Sequence, residues 1–447
     1  MAAAGGLWIC LALVLASLAS SAPTPEDCTA EMFGNSSTAL WACRTQLALQ
    51  RNWFPSPISG LFSYQVWNGF DGFWQNGAVL ETFANFMYYG NHTRYQTCLK
   101  SSLRQMYDLE LAYAPAPSYD DMAWFALSYL RIYEVLGDED FLTLAKQIHD
   151  WNYQYGWDHT GACGGGYWFY DQKTTITNVQ MLQLSAKLYR HTNDTSYLRN
   201  MTMTWKYIQK NGLIDPDTFQ VSNIATKDCT GNRDFNKTFN SGVLVGGLVE
   251  MYHILNDSSY LTLAHRVAQA TIFYSSRGGV LVERCWPEGC DEDEYVYKGL
   301  FVRYLRYLMD VSDDDTRRAY SDWLDGNIKS VIANAICWPE KSACNITYRD
   351  GPSLNNKTGP VFTLDWRGPF NISNPMVQAE VFDLLVANIE PGTTCSGAGC
   401  TYDPPVPPPR HLTCADKPCP AGEPCCEYQQ YYTCCETTQK CIKGVCT

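Results

Sequence analysis

Two adjacent carboxylates, Asp120 and Asp121, stand in the segment Pro117-Ser-Tyr-Asp120-Asp121-Met-Ala-Trp124, straight after Ala114-Pro-Ala-Pro117. Neighbouring charges repel, so a fold that holds both acids in an aromatic-rich cleft has a use for them. Glycoside hydrolysis with retention needs two carboxyl groups about 5–5.5 Å apart, one as nucleophile and one as acid/base. Consecutive Cα atoms lie about 3.8 Å apart, so an Asp-Asp dipeptide can meet that separation. The competing reading is a capping pair on a solvated helix start, where acids are enriched anyway.

Other side chains fit sugar chemistry. Aromatic residues make up 14% of the chain, and Trp and Tyr stack on sugar rings, although most aromatics serve the core. Trp74, Trp124, Tyr167, Trp168 and Tyr170 are the candidate platforms. Trp168 is the least core-like, because three glycines before it bring the backbone close to something. Gln75, Asn178 and Asn240 are candidate hydrogen-bonding partners of sugar hydroxyls; for the asparagines, helix capping is the alternative. Asp228, beside Cys229, is a candidate substrate contact or an ordinary loop acid. Lys298 and Arg303 are expected to pair with loop acids such as Asp291 or Glu294. The seven histidines lack ligand spacing, so no metal or other cofactor is expected, and His149 and His159 read as structural.

The elements that must position these residues are helical. Tyr88-Tyr-Gly-Asn-His-Thr-Arg-Tyr95, Tyr133-Glu-Val-Leu-Gly-Asp-Glu-Asp-Phe-Leu142, Tyr189-Arg-His-Thr-Asn-Asp-Thr-Ser-Tyr-Leu198 and Tyr252-His-Ile-Leu-Asn-Asp-Ser-Ser-Tyr-Leu261 form a weak repeat, with a degenerate copy at Tyr307. Each joins an aromatic helix end to a Gly/Asn/Asp turn and a new amphipathic run. Such a turn suits a helical hairpin, and one hairpin fits each period of 45 to 63 residues. Apolar periodicity predicts about twelve helices between Thr38 and Asn388. Among them are Gln75–Tyr89, Asp120–Leu136, Glu139–Tyr155, Thr174–His191, Ser196–Lys210, Ser241–Leu255, Tyr260–Ser275 and Tyr297–Asp310. Six hairpins would close as an all-α (α/α)6 barrel, a six-hairpin toroid with a cleft at one mouth; an open solenoid is the alternative.

Domain organisation follows. Residues 1–22 read as a signal peptide, with an apolar run from Leu7 to Leu18 and small residues after it. Residues 23–392 hold the barrel, 393–410 a proline-rich linker, and 411–447 an eight-cysteine module. A segment that small needs disulfides in place of a core, and the spacing leaves their connectivity open. The module's Tyr428, Tyr431 and Tyr432 suit carbohydrate binding; a protease-resistant cap is the alternative. Its spacing loosely resembles granulin-type and knottin modules. Eleven cysteines lie between Cys28 and Cys400. That odd number leaves one thiol free or paired across domains, with Cys285–Cys290, Cys337–Cys344 and Cys395–Cys400 as short-range pairs. Nine N-x-Ser/Thr sequons, at Asn35, Asn91, Asn193, Asn200, Asn236, Asn256, Asn345, Asn356 and Asn371, fit a secreted, extracellular glycoprotein and mark expected surface turns. No second long apolar segment suggests a membrane anchor. A net charge of −13 argues against nucleic acid and anionic membranes. The chain is expected to be a monomer acting on neutral polymers.

Five ordered motifs resemble glycoside hydrolase family 76, the endo-α-1,6-mannanases, over roughly residues 45–385. Gly72-Phe-Trp-Gln-Asn-Gly-Ala-Val-Leu80 is similar to the family's first aromatic block, and Tyr119-Asp-Asp-Met-Ala-Trp124 to its paired-aspartate motif. Gly164-Gly-Gly-Tyr-Trp168 resembles its triple-glycine loop, Thr238-Phe-Asn240-Ser-Gly242 its TYNQG block, and Tyr297-Lys-Gly-Leu-Phe-Val-Arg303 its late FKG block. The resemblance implies an (α/α)6 barrel and a retaining hydrolase of α-1,6-linked mannan. It makes Asp120 the nucleophile and Asp121 the general acid/base, with an acidic pH optimum expected. Phe239 and Ser241 depart from the tyrosine and glutamine of TYNQG, which bears on the subsites rather than on the acid pair. The rival readings are a cell-wall glycan transglycosylase and a non-catalytic glycan-binding protein on the same barrel. A lyase or uronide hydrolase would need basic residues for acidic sugars, which the net charge disfavours.

Overall fold

The structure is a computed structural model that describes residues 26–34, 36–53, 73–103, 118–287, 289–291, 293–347 and 357–403, with four short strands beyond them. The described residues hold twelve helices: α1 (Ser37–Trp53), α2 (Phe73–Gly90), α3 (residues 96–103), α4 (Tyr119–Leu136), α5 (Glu139–Gly156), α6 (Thr175–Thr192), α7 (Thr195–Lys210), α8 (Thr238–Leu255), α9 (Ser258–Ser275), α10 (Tyr297–Asp310), α11 (Asp314–Asn334) and α12 (Pro375–Ala387).

The repeated turns have one geometry. Gly137, Asn193 and Asn256 follow α4, α6 and α8 in the left-handed conformation, and each donates its N–H to the carbonyl four residues back, on Tyr133, Tyr189 and Tyr252. Asparagine tolerates that conformation and glycine is free in it, so both stop a helix cleanly. The next residue, Asp138, Asp194 or Asp257, caps the following helix by accepting an N–H two residues on. The degenerate copy differs: α10 ends at Val311 without a left-handed residue.

The even-numbered helices pack each on the next, from α2 through α4, α6, α8 and α10 to α12, and α12 returns to α2. They form the closed inner ring of an (α/α)6 barrel. The outer helices α1, α5, α7 and α9 lie against α12, α4, α6 and α8. Almost every residue of α6, α8, α10 and α12 is buried, as a helix walled in on all sides must be. Two motif glycines set the ring spacing. A Cβ on Gly242 of α8 would lie 2.6 Å from the Phe301 Cα on α10, and one on Gly299 of α10 would lie 2.8 Å from the Glu380 Cα on α12.

Buried charges cross the ring. Arg303 makes a two-pronged contact with Asp383, at 2.9 and 2.7 Å, and reaches Glu81 at 3.2 Å. Lys298 sits 2.9 Å from Glu380 and donates to the Leu364 carbonyl. Their partners are thus acids of α2 and α12, not Asp291 or Glu294. His149 is buried between Asp150 and Ser185, and His159 packs edge-on to Tyr153.

Five disulfides join the described cysteines: the three short-range pairs, Cys28–Cys43, and Cys163–Cys229. Cys98 is the odd thiol, and burial pushes its pKa up to about 12. Of the sequons, Asn91, Asn193, Asn256, Asn345 and Asn371 are exposed, and Asn236 is half-buried. Asn200 is a correction: it lies within α7 at 4% exposure, because its helical position faces the core. Asn35 and Asn356 lie outside the described residues, as do the signal segment and Arg410.

Residues 393–403, expected in the linker, run back along the barrel. Thr93 and Tyr95 donate backbone N–H groups to Cys400 and Tyr402, and the Asp403 carboxylate accepts from the Thr97 N–H. Beyond them, Cys425–Tyr428 and Tyr431–Cys434 form an antiparallel hairpin with Tyr428 opposite Tyr431. Among the described residues no helix is long and apolar enough to cross a membrane.

Candidate active site

The first turns of the inner helices meet at one mouth of the barrel. Trp74 of α2 stacks on Trp124 of α4, with centroids 5.6 Å apart. Trp124 stacks on Phe239 of α8 at 6.4 Å. Phe239 lies parallel to Tyr297 of α10 at 3.9 Å, and Tyr297 returns to Trp74 at 6.4 Å. Four helices therefore contribute one cycle of rings, all but buried.

Asp120 and Asp121 occupy the first turn of α4, beside that cycle. The turn is held from behind: Asn152 of α5 donates to the Tyr119 carbonyl at 2.8 Å, and Gln180 of α6 to the Asp120 carbonyl at 3.2 Å. Both residues are half-buried, and Asp120 Oδ1 is buried and has no hydrogen-bond partner among the described residues. Neither acid has a cation beside it among those residues. Burial pushes the Asp120 carboxyl up to about 7, against the pull of the backbone N–H groups of Asp120 and Asp121. Burial also holds Asp121 well above the usual carboxylate range, and the charges of Asp120 and Asp293 add to that. Like charges this close hold each other's protons, so the pair gives up its two protons in two separate steps.

Asp293 is the residue that sequence reasoning missed. It opens the short helical turn before α10. Its Oδ1 accepts the Trp74 indole N–H at 2.9 Å and the Gln75 amide at 2.8 Å. The available signal was its place in the acidic run Asp291–Glu294, four residues before the Tyr297-Lys-Gly block.

A cavity of about 560 Å³ opens beside the aromatic cycle, between residues 169–176 and 223–240. Phe239 and Asn240 form part of its wall, with Tyr170, Asp171, Asn223, Asp234 and Lys237 around them. Asn240 donates to Asn223 at 2.9 Å, and its own Oδ1 is buried without a partner among the described residues. Tyr170 is 61% exposed at the rim. The acid pair is not in this lining; Trp124 and Phe239 connect the two.

Other predicted site residues fall elsewhere. Tyr167 is fully buried. Its backbone N–H donates to Asn178 Oδ1 at 2.9 Å, and Asn178 donates back to the Thr174 carbonyl at 2.7 Å. These two residues tie the triple-glycine loop to α6 and do not line the cavity. The close approach signalled by the glycines is to protein: a Cβ on Gly165 would lie 2.2 Å from Trp157, and one on Gly166 would lie 2.5 Å from Tyr207. Trp168 is half-buried, with the Lys173 ammonium 4.6 Å from its ring centroid. Asp228 stands exposed on the loop that Cys229 ties to Cys163, outside the cavity lining. Among the described residues one group of ligand-type atoms is close enough to hold a metal, Cys285, Cys290 and Glu294. Both sulfurs there are in a disulfide and offer no thiolate.

Residues 42–391 match the profile described as glycosyl hydrolase family 76. A Schizosaccharomyces pombe relative is 28% identical over 263 residues, which span 54% of this chain and 59% of that protein. The mannan endo-1,6-alpha-mannosidase DCW1 of Candida albicans is 20% identical over 369 residues, 76% of this chain and 77% of that one. Among solved structures, an inactive variant of the α-1,6-mannanase GH76A of Salegentibacter, with two adjacent aspartates changed to asparagine and α-1,6-mannotriose bound, superposes with a TM-score of 0.66. It is 20% identical and covers 79% of this chain and 99% of its own.

Proposed function

The chain belongs to glycosyl hydrolase family 76, and from that premise we propose that it is a secreted, retaining hydrolase of α-1,6-linked mannan working through Asp120 and Asp121. The observation that carries the reading is the acid pair itself: two enclosed carboxyls on one helix turn, without a counter-cation among the described residues, beside stacked tryptophans. A structural ion pair would have a cation; a solvated cap would have water around it.

In the first step a carboxylate oxygen of Asp120 bonds to the anomeric carbon. The bond from that carbon to the glycosidic oxygen breaks, and the leaving oxygen takes the proton of Asp121. In the second step water attacks the same carbon, Asp121 accepts the water's proton, and Asp120 leaves as carboxylate. A pair that releases its protons in two steps supports a mechanism with one ionised and one protonated carboxyl. The relative named as a mannan endo-1,6-alpha-mannosidase and the mannotriose complex support the choice of polymer. Asn240, with an unpaired buried oxygen in the cavity wall, is a hydrogen-bond acceptor for a sugar hydroxyl. Trp74 and Trp124, stacked on each other, offer ring surface for a sugar at the mouth.

The test is product analysis on linear α-1,6-mannan, with proton NMR following the anomer first released. Early α-mannose ends from the wild type, absent with Asp120→Asn, are expected. First-formed β-mannose would overturn retention, and transfer to an added acceptor without hydrolysis would make the enzyme a transglycosylase.

A further inference from the structure

We propose that Asp293 is a positioning residue for the acid pair: its carboxylate pins Trp74 and Gln75 at the cleft and places a negative charge beside Asp121. The inference rests on the reading of Asp120 and Asp121 as nucleophile and acid/base.

The geometry is specific. One oxygen of Asp293 accepts from two side chains of the first turn of α2, Trp74 at 2.9 Å and Gln75 at 2.8 Å. Trp74 is the ring that stacks on Trp124, three residues after Asp121 on α4. Asp293 therefore bridges α10, through the turn that opens it, to α2, and α2 to the turn that carries the acids. A neutral acceptor would hold the tryptophan equally well. The charge adds something else, because like charges close together hold each other's protons. Asp293 raises both members of the pair in this way, and burial lifts its own carboxyl to about 6.

The charged and titratable groups facing Asp293 among the described residues come from several elements. Asp291, Glu294 and Tyr297 flank it in its own turn. Lys237, before α8, opposes it, with its ammonium 5.8 Å from the Tyr297 ring centroid. Asp120 and Asp121 face it from α4. Glu283 lies behind Tyr297, where its carboxylate accepts from the Thr238 N–H and hydroxyl. Lys237 is the one base in this set, and ionised Asp293, a like charge to Asp120 and Asp121, works against ionisation of the pair.

The sign follows. Removing the Asp293 charge lets both Asp120 and Asp121 ionise at lower pH, so the whole bell of kcat/KM moves down. A shift on the order of one pH unit is expected for removal of a like charge from an enclosed pair. Asp293→Asn keeps an acceptor oxygen for Trp74 and Gln75 and removes the charge, so the profile moves. Asp293→Ala removes both, and kcat falls on the order of a hundredfold as the cleft loses its register.

A substrate-free readout separates this inference from the functional reading. In protein with 15N-labelled tryptophan, the Trp74 indole resonance, assigned with Trp74→Phe, is expected to titrate near pH 6 and to stop doing so in Asp293→Asn. Loss of rate in Asp293→Asn with both limbs of the bell unmoved would make Asp293 a purely structural residue and overturn the proposal. An indole signal indifferent to pH in the wild type would overturn it as well. A wild type inert on α-1,6-mannan whose indole still titrates would sink the functional reading while leaving the Asp293 contact standing.

Discussion

Asp121 and Glu134 sit at opposite ends of α4, both enclosed, and their carboxyls are in opposite states. The helix dipole alone would ionise Asp121, at the N-terminus, and oppose ionisation of Glu134, near the C-terminus. The reverse holds. Burial and two neighbouring acids keep Asp121 well above the ordinary carboxylate range. Burial would raise Glu134 too, but Lys187 at 2.8 Å, His191 at 3.0 Å and Arg131 at 3.0 Å bring it well below. A dipole worth about 0.3–1 kcal/mol is outweighed by enclosure at one end and by three basic side chains at the other. Along α4, matched charges thus stand at one end and unmatched ones at the other.

The contrast can be broken most sharply by amide substitution at each end. Asp120→Asn or Asp121→Asn is expected to lower kcat on mannan by roughly 10³-fold or more, as loss of a nucleophile or of its acid does. Neither should lower the melting temperature. Glu134→Gln should do the opposite: it removes the carboxylate shared by Lys187, His191 and Arg131, leaving Lys187 with Glu250 and Arg131 with Asn85, costs up to about 3–5 kcal/mol of stability, and leaves activity per folded molecule within about twofold. Calorimetry and rates on one set of samples check both. Equal losses of rate and stability at either end would erase the distinction.

The pH dependence sharpens it next. Glu134 has a depressed folded pKa, so its contribution is present above its unfolded pKa of about 4.3 and fades as pH falls further. Asp120 has a raised one, so its contribution is complete below about 3.9 and is lost as pH rises toward about 7. Asp120→Asn should therefore gain more melting temperature at pH 8 than at pH 4. For the same reason the acid limb of kcat/KM should lie near pH 7, moving the optimum from the acidic side toward neutrality. The smallest effect belongs to the cavity wall. Asn240→Ala removes one sugar hydrogen bond and should raise KM about two- to twelvefold with kcat little changed, measured by steady-state kinetics on mannotetraose.

What was legible in the sequence was local. Helix ends, caps and the repeat turn are set within a few residues, and the predicted span Tyr297–Asp310 coincides with α10. The acid pair was legible because its two members are neighbours. Asp293 was not, because its partners Trp74 and Gln75 lie more than two hundred residues away. Separations of 82 and 80 residues likewise hid Glu380 and Asp383 as partners of Lys298 and Arg303, although two acids three residues apart in the mostly apolar Pro375–Ala387 run were a usable cue. The triple glycine was read correctly as close approach but not for what is approached. Spacing alone cannot tell a sugar from Trp157 and Tyr207.

The seam of the ring joins the earliest helices to the last. Gln378 of α12 donates to the Thr45 carbonyl of α1, 333 residues away, and Arg303 bridges Glu81 of α2 to Asp383 of α12. During synthesis at about 5–20 residues per second, α1 waits roughly 15–60 s for the helix that covers it. Until then the chain lacks the helix that packs on α1, α2 and α10, and apolar surface left uncovered during folding favours aggregation. The barrel's last thirteen-residue helix is therefore its kinetic latch, and a ribosome stalled before Pro375 would release a chain that holds most of the fold and none of its closure.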